Sequence, residues 1–234
     1  MKVYKAHIIH TPQPQRFETI ENGYVAVGDD GRVISVAADL ETLGCPNAEV
    51  TDFGNRLLIP AMNDVHVHAA QYRNQGIAMD LELLPWLDRY TFPEEVKFSD
   101  TGYAELVYRR FIRHLWRVGT MRAAVFATTH TPATRRLMEL FDEAGMGALV
   151  GKVAMDRNCP DSLAETVDDY LRGMEELTEE YGGPAGTGTA HRHAALHSLV
   201  YARNAEGLRR DGTPSSAAST VAPVGESVGD SLSA

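Results

Sequence analysis

A change of composition at Gly183 limits what this chain can fold into. From Gly183 to the end, Gly, Pro, Ser and Ala make up 27 of 52 residues, and Ile, Phe, Trp, Met and Lys are absent. So few large apolar side chains cannot offset the conformational entropy that is lost when a backbone becomes ordered. We therefore expect residues 183–234 to be disordered and the fold to be formed by residues 1–182.

The charge balance argues against a nucleic-acid partner. The chain has 22 Lys and Arg against 32 Asp and Glu, and the four Arg of the last 52 residues balance four acids, so residues 1–182 carry the whole net charge of −10. Affinity for nucleic acid comes largely from basic residues that displace counterions. No apolar run reaches about 18 residues, and the N-terminus lacks the apolar core of a signal peptide. We expect a cytoplasmic protein without membrane contact, with Cys45 and Cys159 as reduced thiols.

The first part of the sequence predicts a small β unit over residues 1–56. Alternating apolar residues in VYKAHII, in GYVAVGDDGRVISVA and in AEVTDFG are typical of short strands. The second of these segments contains Asp29-Asp30-Gly31, a composition that favours a hairpin turn.

Buried strands alternate with helices over residues 57–182. Strands are predicted at Leu57–Ala69, 119–128 and 147–155, and helices at 100–117, 132–144 and from the capping box of Ser162 and Glu165 to Tyr181. This order favours an α/β fold with a parallel sheet, either an α/β barrel or a doubly wound sheet. Only three strands are visible, whereas a complete barrel needs eight.

Two histidines close the first of these predicted strands. His66 and His68 are two residues apart, so strand alternation places both imidazoles on one face, together with Asp64. At the carboxyl end of a barrel strand this face points into the site where catalytic groups collect. Two imidazoles with a common direction suit a divalent metal such as zinc. Isolated His-x-His pairs are common outside metal sites, but the position between a β unit and a βα series favours the metal interpretation.

Several segments resemble the guanine deaminases of the amidohydrolase superfamily. His68-Ala69-Ala70-Gln71-Tyr72 resembles their HxxQY segment, and Met79 to Pro93 resembles their DLxLLxWLxxYTFP signature. Ala127-Thr128-Thr129-His130 is similar to FATxH, and Gly151 to Asp156 is similar to GKVxMD. The resemblance covers about residues 20–182 in order. It implies an incomplete (β/α)8 TIM-type barrel of a metal-dependent hydrolase, with residues 57–182 as its first βα units and residues 1–56 as part of an N-terminal β-sandwich.

The resemblance also implies an activity, a cofactor and a partner. His66 and His68 would ligate one Zn²⁺ per complete active site, and Gln71 would hydrogen-bond the purine. The reaction would be the hydrolytic deamination of guanine to xanthine and ammonia in purine catabolism, with a carboxylic acid moving the proton. Zinc lowers the pKa of bound water from 15.7 toward about 7, which suits attack on an amidine carbon. A homodimer is expected for the intact family member.

Other polar and aromatic residues have two interpretations each. Asp64 either orients a metal histidine or bonds the loop backbone, and Gln71 itself could bond only backbone. His130 has a role on the substrate side or at the start of the following helix. Trp86, together with Tyr90 and Phe92, could stack on a purine or pack beneath a loop. A metal role for the histidines of the last segment is disfavoured by its composition: His191, His193 and His197.

The family's fourth-strand segment, which resembles RPIVTPRFxxSC, is absent after Tyr181, as are the proton-transfer glutamate and the later metal ligands. One set of codons consistent with Thr187 to Ala202, read one base later, translates as LVRPIVTPRFTPSCT. We therefore predict a slip of the reading frame between Gly182 and Thr187, and no deaminase activity for this chain alone. Two alternatives stay open, a related amidohydrolase acting on a different heterocycle and a non-catalytic fragment.

Overall fold

The computed structural model describes residues 1–181. The chain divides into one compact unit, Met1–Met62, and a second unit that begins at Asn63. The predicted disorder and frame slip concern residues that lie outside the described part, and so do His191, His193 and His197. Among the described residues, no helix has the length and apolar character needed to cross a membrane.

The first unit is a four-stranded sheet in the order β3-β2-β1-β4. Strand β2 pairs antiparallel with β1 and β3, whereas β4 lies parallel to β1. The predicted hairpin turn between β2 and β3 is confirmed, since Gly28 N–H donates to Arg32 O over 2.9 Å and Gly31 has φ +78°. The strands are β1 Lys2–Gln13, β2 Arg16–Val27, β3 Val33–Ala37 and β4 Val50–Leu58.

The second unit contains a three-stranded sheet in the order β5-β6-β7, with β6 and β7 parallel. The strands are β5 Met62–His68, β6 Thr120–Phe126 and β7 Gly147–Gly151. The helices are α1 Leu83–Trp86, α2 Phe92–Glu95, α3 Thr101–Arg117, α4 Thr131–Glu143 and α5 Val167–Tyr181, with short 3-10 turns at Tyr72–Asn74 and Val96–Ser99 and a π turn at Leu87–Thr91. The expected alternation of strands and helices is confirmed, and β6 and β7 carry buried residues. The burial predicted for the first of these strands is wrong, since every residue of β5 is exposed or half-buried.

Helices α3 and α4 have the predicted extents because their ends are defined by local chemistry. Asp100 caps α3 by accepting a hydrogen bond from Gly102 N–H at 2.8 Å. Helix α4 begins with Thr131-Pro132 and is followed by Gly145 at φ +65°. Their apolar faces pack with the strands in one core, whose largest members are Phe98, Tyr108, Phe111, Leu137 and Phe141.

Two predicted elements differ in the structure. The strand expected over Leu57–Ala69 is divided, because β4 ends at Leu58, Pro60 lies in the gap, and β5 begins at Met62. The predicted capping box of Ser162 and Glu165 is wrong, since α5 begins only at Val167. The Glu165 carboxylate instead pairs with Lys152, and the Thr166 hydroxyl accepts from Asp169 N–H at 3.1 Å.

Candidate metal centre

The imidazoles of His66 and His68 converge at the end of β5. Their Nε2 atoms lie 3.2 Å apart, as expected for two residues that share one face of a strand. Both rings also contact Phe126, the last residue of β6. The His68 ring stacks on it at a centroid distance of 4.8 Å, and the His66 ring lies 5.0 Å away. Phe126 therefore fixes the orientation of both histidines.

The environment favours the neutral form of His68. Burial and, to a smaller extent, the neighbouring His66 together lower the pKa of His68 to about 4. A neutral imidazole has a free ring-nitrogen lone pair, which is the form that binds a metal ion. The sign of the pKa change is therefore the one that a ligand histidine requires near neutral pH.

The spacing of the two nitrogens fits a zinc ion. Two Zn–N bonds of about 2.0–2.1 Å at a tetrahedral angle place the nitrogens roughly 3.3–3.4 Å apart. The separation of 3.2 Å between His66 Nε2 and His68 Nε2 is close to this value. Within residues 1–181, no group of three or more His, Cys, Asp or Glu side chains is placed to hold a metal ion, so the histidine pair has no third side chain of this kind beside it there.

Asp64 makes a local contact beside the histidine pair. Its Oδ1 accepts a hydrogen bond from the backbone N–H of His66 over 3.1 Å. This contact holds the backbone at the start of the histidine pair. It corresponds to the interpretation in which Asp64 bonds the backbone. A role of Asp64 in orienting a metal-bound ring stays a prediction.

Gln71 lies in a short, well-anchored turn after β5. Its carbonyl accepts from Asn74 N–H at 2.8 Å, which closes the turn at Tyr72–Asn74. Asn74 is buried, and its Nδ2 donates to Tyr90 O over 3.1 Å, which ties this turn to the π turn before α2. The half-buried Gln71 side chain is thus carried by a fixed backbone, and its contact with a purine stays a prediction.

The aromatic residues Trp86 and Phe92 lie in two different environments. Phe92 is buried and packs with Leu87, Val153 and Leu163, so it lies beneath a loop, which is the second of its two interpretations. Trp86 is half-buried at the edge of this cluster, and its Nε1 donates to Ile77 O at 3.0 Å. Stacking of Trp86 on a substrate stays a prediction.

His130 occupies the N-cap position of α4, but its side chain makes no capping hydrogen bond. Its carbonyl accepts from Thr134 N–H at 3.0 Å. The Nε2 atom is buried and has no hydrogen-bond partner within residues 1–181, and burial, together with the positive charge of Lys152, lowers the pKa of the ring. The backbone of His130 therefore starts the helix, and a role of its ring on the substrate side stays a prediction.

Sequence reasoning missed a buried polar cluster beneath the ends of β6 and β7. Lys152 is fully buried, and its Nζ lies 2.5 Å from Glu165 Oε2 and 4.9 Å from the centre of the Tyr170 ring. Glu95 is also buried, and its Oε1 has no hydrogen-bond partner among the described residues. Burial raises the pKa of Glu95 to about 7, although Thr128 and Thr129 lower it in part. Lys152 belongs to the GKVxMD signature, and Glu95 lies two residues after the YTFP segment. These two signatures were the sequence signal that pointed to the cluster.

The neighbouring Glu94 belongs to a separate ionic network. It accepts from Lys97 Nζ at 2.6 Å and from the Tyr103 hydroxyl, and Arg73 Nη1 donates to the same hydroxyl at 2.9 Å. Because Arg73 lies two residues after Gln71, this network joins the Gln71 turn to α2 and α3. The two adjacent glutamates of α2 thus have different partners. Glu94 contacts Tyr103 on α3, whereas Glu95 is buried towards Lys152.

Comparison with known proteins places this chain in a family. The family model "Amidohydrolase family" matches residues 57–206. Guanine deaminase of Dictyostelium discoideum is 34% identical over 194 residues, covering 76% of this chain and 43% of that protein. The crystal structure of guanine deaminase from C. acetobutylicum with bound guanine superposes with a TM-score of 0.76 and 40% identity, covering 85% of this chain and 46% of that chain.

A more distant structure shares the fold alone. An adenosine deaminase from Xanthomonas campestris with bound zinc superposes with a TM-score of 0.64 at 19% identity, covering 82% of this chain and 42% of that chain. The chain spans less than half the length of the relatives that it matches. The expected fold is confirmed, since the second unit corresponds to part of an amidohydrolase barrel. With the family model matching residues 57–206 and the histidine pair at the end of β5, the chain belongs to the amidohydrolase family.

Proposed function

We propose that residues 1–181 are the first part of a zinc-dependent guanine deaminase, which hydrolyses guanine to xanthine and ammonia. The observation that carries the proposal is the convergence of His66 Nε2 and His68 Nε2 to 3.2 Å, a distance that suits zinc. The choice of guanine is supported by the relatives, since the D. discoideum relative is a guanine deaminase and the C. acetobutylicum structure contains bound guanine.

In this proposal His66 and His68 hold the metal through Nε2. Zinc, when bound, supplies a Lewis acid that makes water nucleophilic at neutral pH. Phe126 keeps the two rings in place and excludes water from one side of them. Because the rings are already oriented, little conformational entropy is lost when the metal binds.

Gln71 is proposed to recognise the purine. Its amide has a carbonyl oxygen that accepts and an NH₂ group that donates, which matches the mixed donor and acceptor edge of guanine. The turn at Tyr72–Asn74 and the Asn74–Tyr90 hydrogen bond limit the positions that this amide can adopt. A substrate that is held at its polar edge loses less freedom on the way to the transition state.

We further propose that the 234-residue chain does not deaminate guanine by itself. A catalytic zinc has three protein ligands, and residues 1–181 bring together two. Purified chain incubated with guanine and zinc should form no xanthine. Xanthine formation that stops when a chelator is added would contradict this proposal. The cytoplasmic location, the homodimer and a role in purine catabolism stay predictions.

A chimera tests the proposed activity. Residues 1–181 replace the matched region of the C. acetobutylicum guanine deaminase, which is 40% identical and therefore provides compatible packing partners. We expect the chimera to release ammonia from guanine, His68→Ala to abolish this, and Gln71→Ala to raise KM for guanine. His7→Ala, a histidine change on β1, is the matched control. A folded, zinc-loaded chimera that acts on another heterocycle but not on guanine would overturn the substrate assignment.

A further inference from the structure

Three arginines on one face of α3 have no carboxylate partner in the described part of the chain. Arg110, Arg113 and Arg117 are spaced three and four residues apart, so they follow one another along the helix surface. All three are exposed, and none of them forms an ion pair within residues 1–181. They line an open cleft of about 610 Å³ together with Tyr72, His114 and Val118.

Neighbouring arginines on α3 and α4, by contrast, form ion pairs. Arg109 Nε lies 2.7 Å from Glu105 Oε1, Arg135 Nε lies 2.8 Å from Glu180 Oε2, and Arg136 Nε lies 3.0 Å from Glu105 Oε2. The chain has a net charge of −10, so carboxylates are plentiful. The absence of carboxylates from the described lining of this cleft is therefore a local property, and it leaves three adjacent positive charges unmatched.

The position of Arg117 on the helix makes its charge more tolerable. It lies in the last turn of α3, where the negative end of the helix dipole stabilises cations. This effect offsets part of the mutual repulsion of the three arginines but satisfies none of their N–H donors. Each guanidinium has five donors in a rigid plane, a geometry that matches two oxygens of one phosphate group.

The cleft also has a defined wall. The Tyr72 hydroxyl and His114 Nδ1 are 3.2 Å apart and form a hydrogen bond, which holds both side chains at the edge of the arginine cluster. The volume lies within the range of roughly 300–1,000 Å³ that is typical of small-molecule sites. Three positive charges in one cleft match an anion that carries several negative charges on adjacent groups.

We propose that this cleft, bounded by Tyr72, Arg113 and Arg117, binds a diphosphate group, either as inorganic pyrophosphate or as part of a nucleoside diphosphate. The site is separate from the histidine pair and does not depend on the proposed deaminase activity. Arg113 and Arg117 supply the planar donors, and Arg110 adds a third charge. Phosphate groups are bound most tightly where such bidentate contacts form.

Calorimetric titration of the intact 234-residue chain with pyrophosphate, without divalent metal, tests the proposal. We expect one site, and we expect Arg113→Gln and Arg117→Gln each to weaken binding by about tenfold or more, because a charge-assisted contact is lost. Arg109→Gln is the matched control, since it removes the same charge from the same helix but outside this cleft, and it should change the affinity less than twofold. ADP in place of pyrophosphate distinguishes the two sources, and tighter ADP binding assigns the site to a nucleotide.

Several results would overturn the proposal. These are no measurable binding of pyrophosphate or ADP at millimolar concentration, equal binding to all variants, or sulfate binding as tightly as pyrophosphate. A second measurement uses the unchanged chain, so it does not require any variant to fold. Phenylglyoxal modifies exposed arginines, and mass spectrometry should show that pyrophosphate protects Arg113 and Arg117 but not Arg109; equal modification with and without the anion would contradict the site.

Discussion

Lys152 and Glu165 form a buried ion pair that joins β7 to the segment before α5. The Lys152 side chain is fully buried, Glu165 is 15% exposed, and the Nζ to Oε2 distance is 2.5 Å. Gly173 on α5 allows this approach, since a Cβ there would lie 2.4 Å from Thr131 Oγ1 and 3.3 Å from Lys152 Cε. The GKVxMD segment at the end of β7 is thus held to the residues before α5 by charge and to α5 itself by close packing.

Removal of one partner of this pair should destabilise the fold strongly. Glu165→Gln leaves the buried Lys152 ammonium without its ion-pair partner, and we expect a loss of about 3–5 kcal/mol in the free energy of unfolding, measured by urea titration. Arg172→Gln removes an exposed partner of Asp169 and should change it by less than about 1 kcal/mol. Equal changes in the free energy of unfolding for the two variants would contradict a strong stabilising role of the buried pair.

Glu95 should make stability depend on pH. Its pKa is raised from 4.5 to about 7, mainly by burial, so the folded state binds more protons than the unfolded state between these values. The free energy of unfolding should therefore fall as pH rises from about 4.5 to 7. Within residues 1–181, the charged and titratable groups that interact with Glu95 are Lys152 on the segment after β7, Tyr108 on α3 and Cys159.

Glu95→Gln should remove this slope, because an amide does not titrate. Above pH 7 the variant should be more stable than the unchanged chain by up to about 3 kcal/mol, since one pKa unit corresponds to about 1.4 kcal/mol. Glu94→Gln is the control on the adjacent residue, and it should be destabilising at pH 7 because Glu94 is paired with Lys97 and Tyr103. Identical pH profiles for the Glu95 variant and the unchanged chain would contradict the assignment.

Asn74 should control the order of the Gln71 turn. Asn74→Ala removes the bond from Nδ2 to Tyr90 O, and we expect faster amide hydrogen exchange in residues 70–78 with a smaller effect on α3 and α4. Gln75→Ala changes an exposed neighbour and should leave exchange unaltered. If both variants exchange alike, the Asn74 contact does not hold the turn.

The nucleotide sequence over codons 180–205 tests the predicted frame slip. We expect the bases from codon 187 onward, read in a frame shifted by one base, to translate into a segment that resembles LVRPIVTPRF. Bases that cannot be read in this way would refute the slip. The result is independent of every folding experiment described above.

Local chemistry made the helices and the histidine pair predictable. The apolar spacing of α3 and the strand alternation at His66 and His68 act over a few residues, and the structure confirms both. Helix α4 is confirmed too, although it begins at Thr131, one residue before the predicted start, with His130 at the N-cap position. Strand alternation by itself predicts that the two imidazoles share one face.

Long-range pairing was not predictable from the same patterns. Glu95 reads as an acidic residue in the first turn of a helix, a favourable exposed position, yet tertiary packing buries it. Glu165 reads as a capping residue, but Lys152 engages it instead. The stacking of Phe126 on His68 depends on the register of β6 beside β5, which no local pattern specifies.

The zinc content of the chimera that carries residues 1–181 tests the central claim most directly. After zinc loading and removal of free metal, we expect about one zinc per chain in the unchanged chimera and in His7→Ala, as in a mononuclear site. His66→Ala and His68→Ala should each lose most of this zinc while the circular dichroism of the fold stays the same. Full zinc content in both histidine variants would contradict the assignment of His66 and His68 as metal ligands.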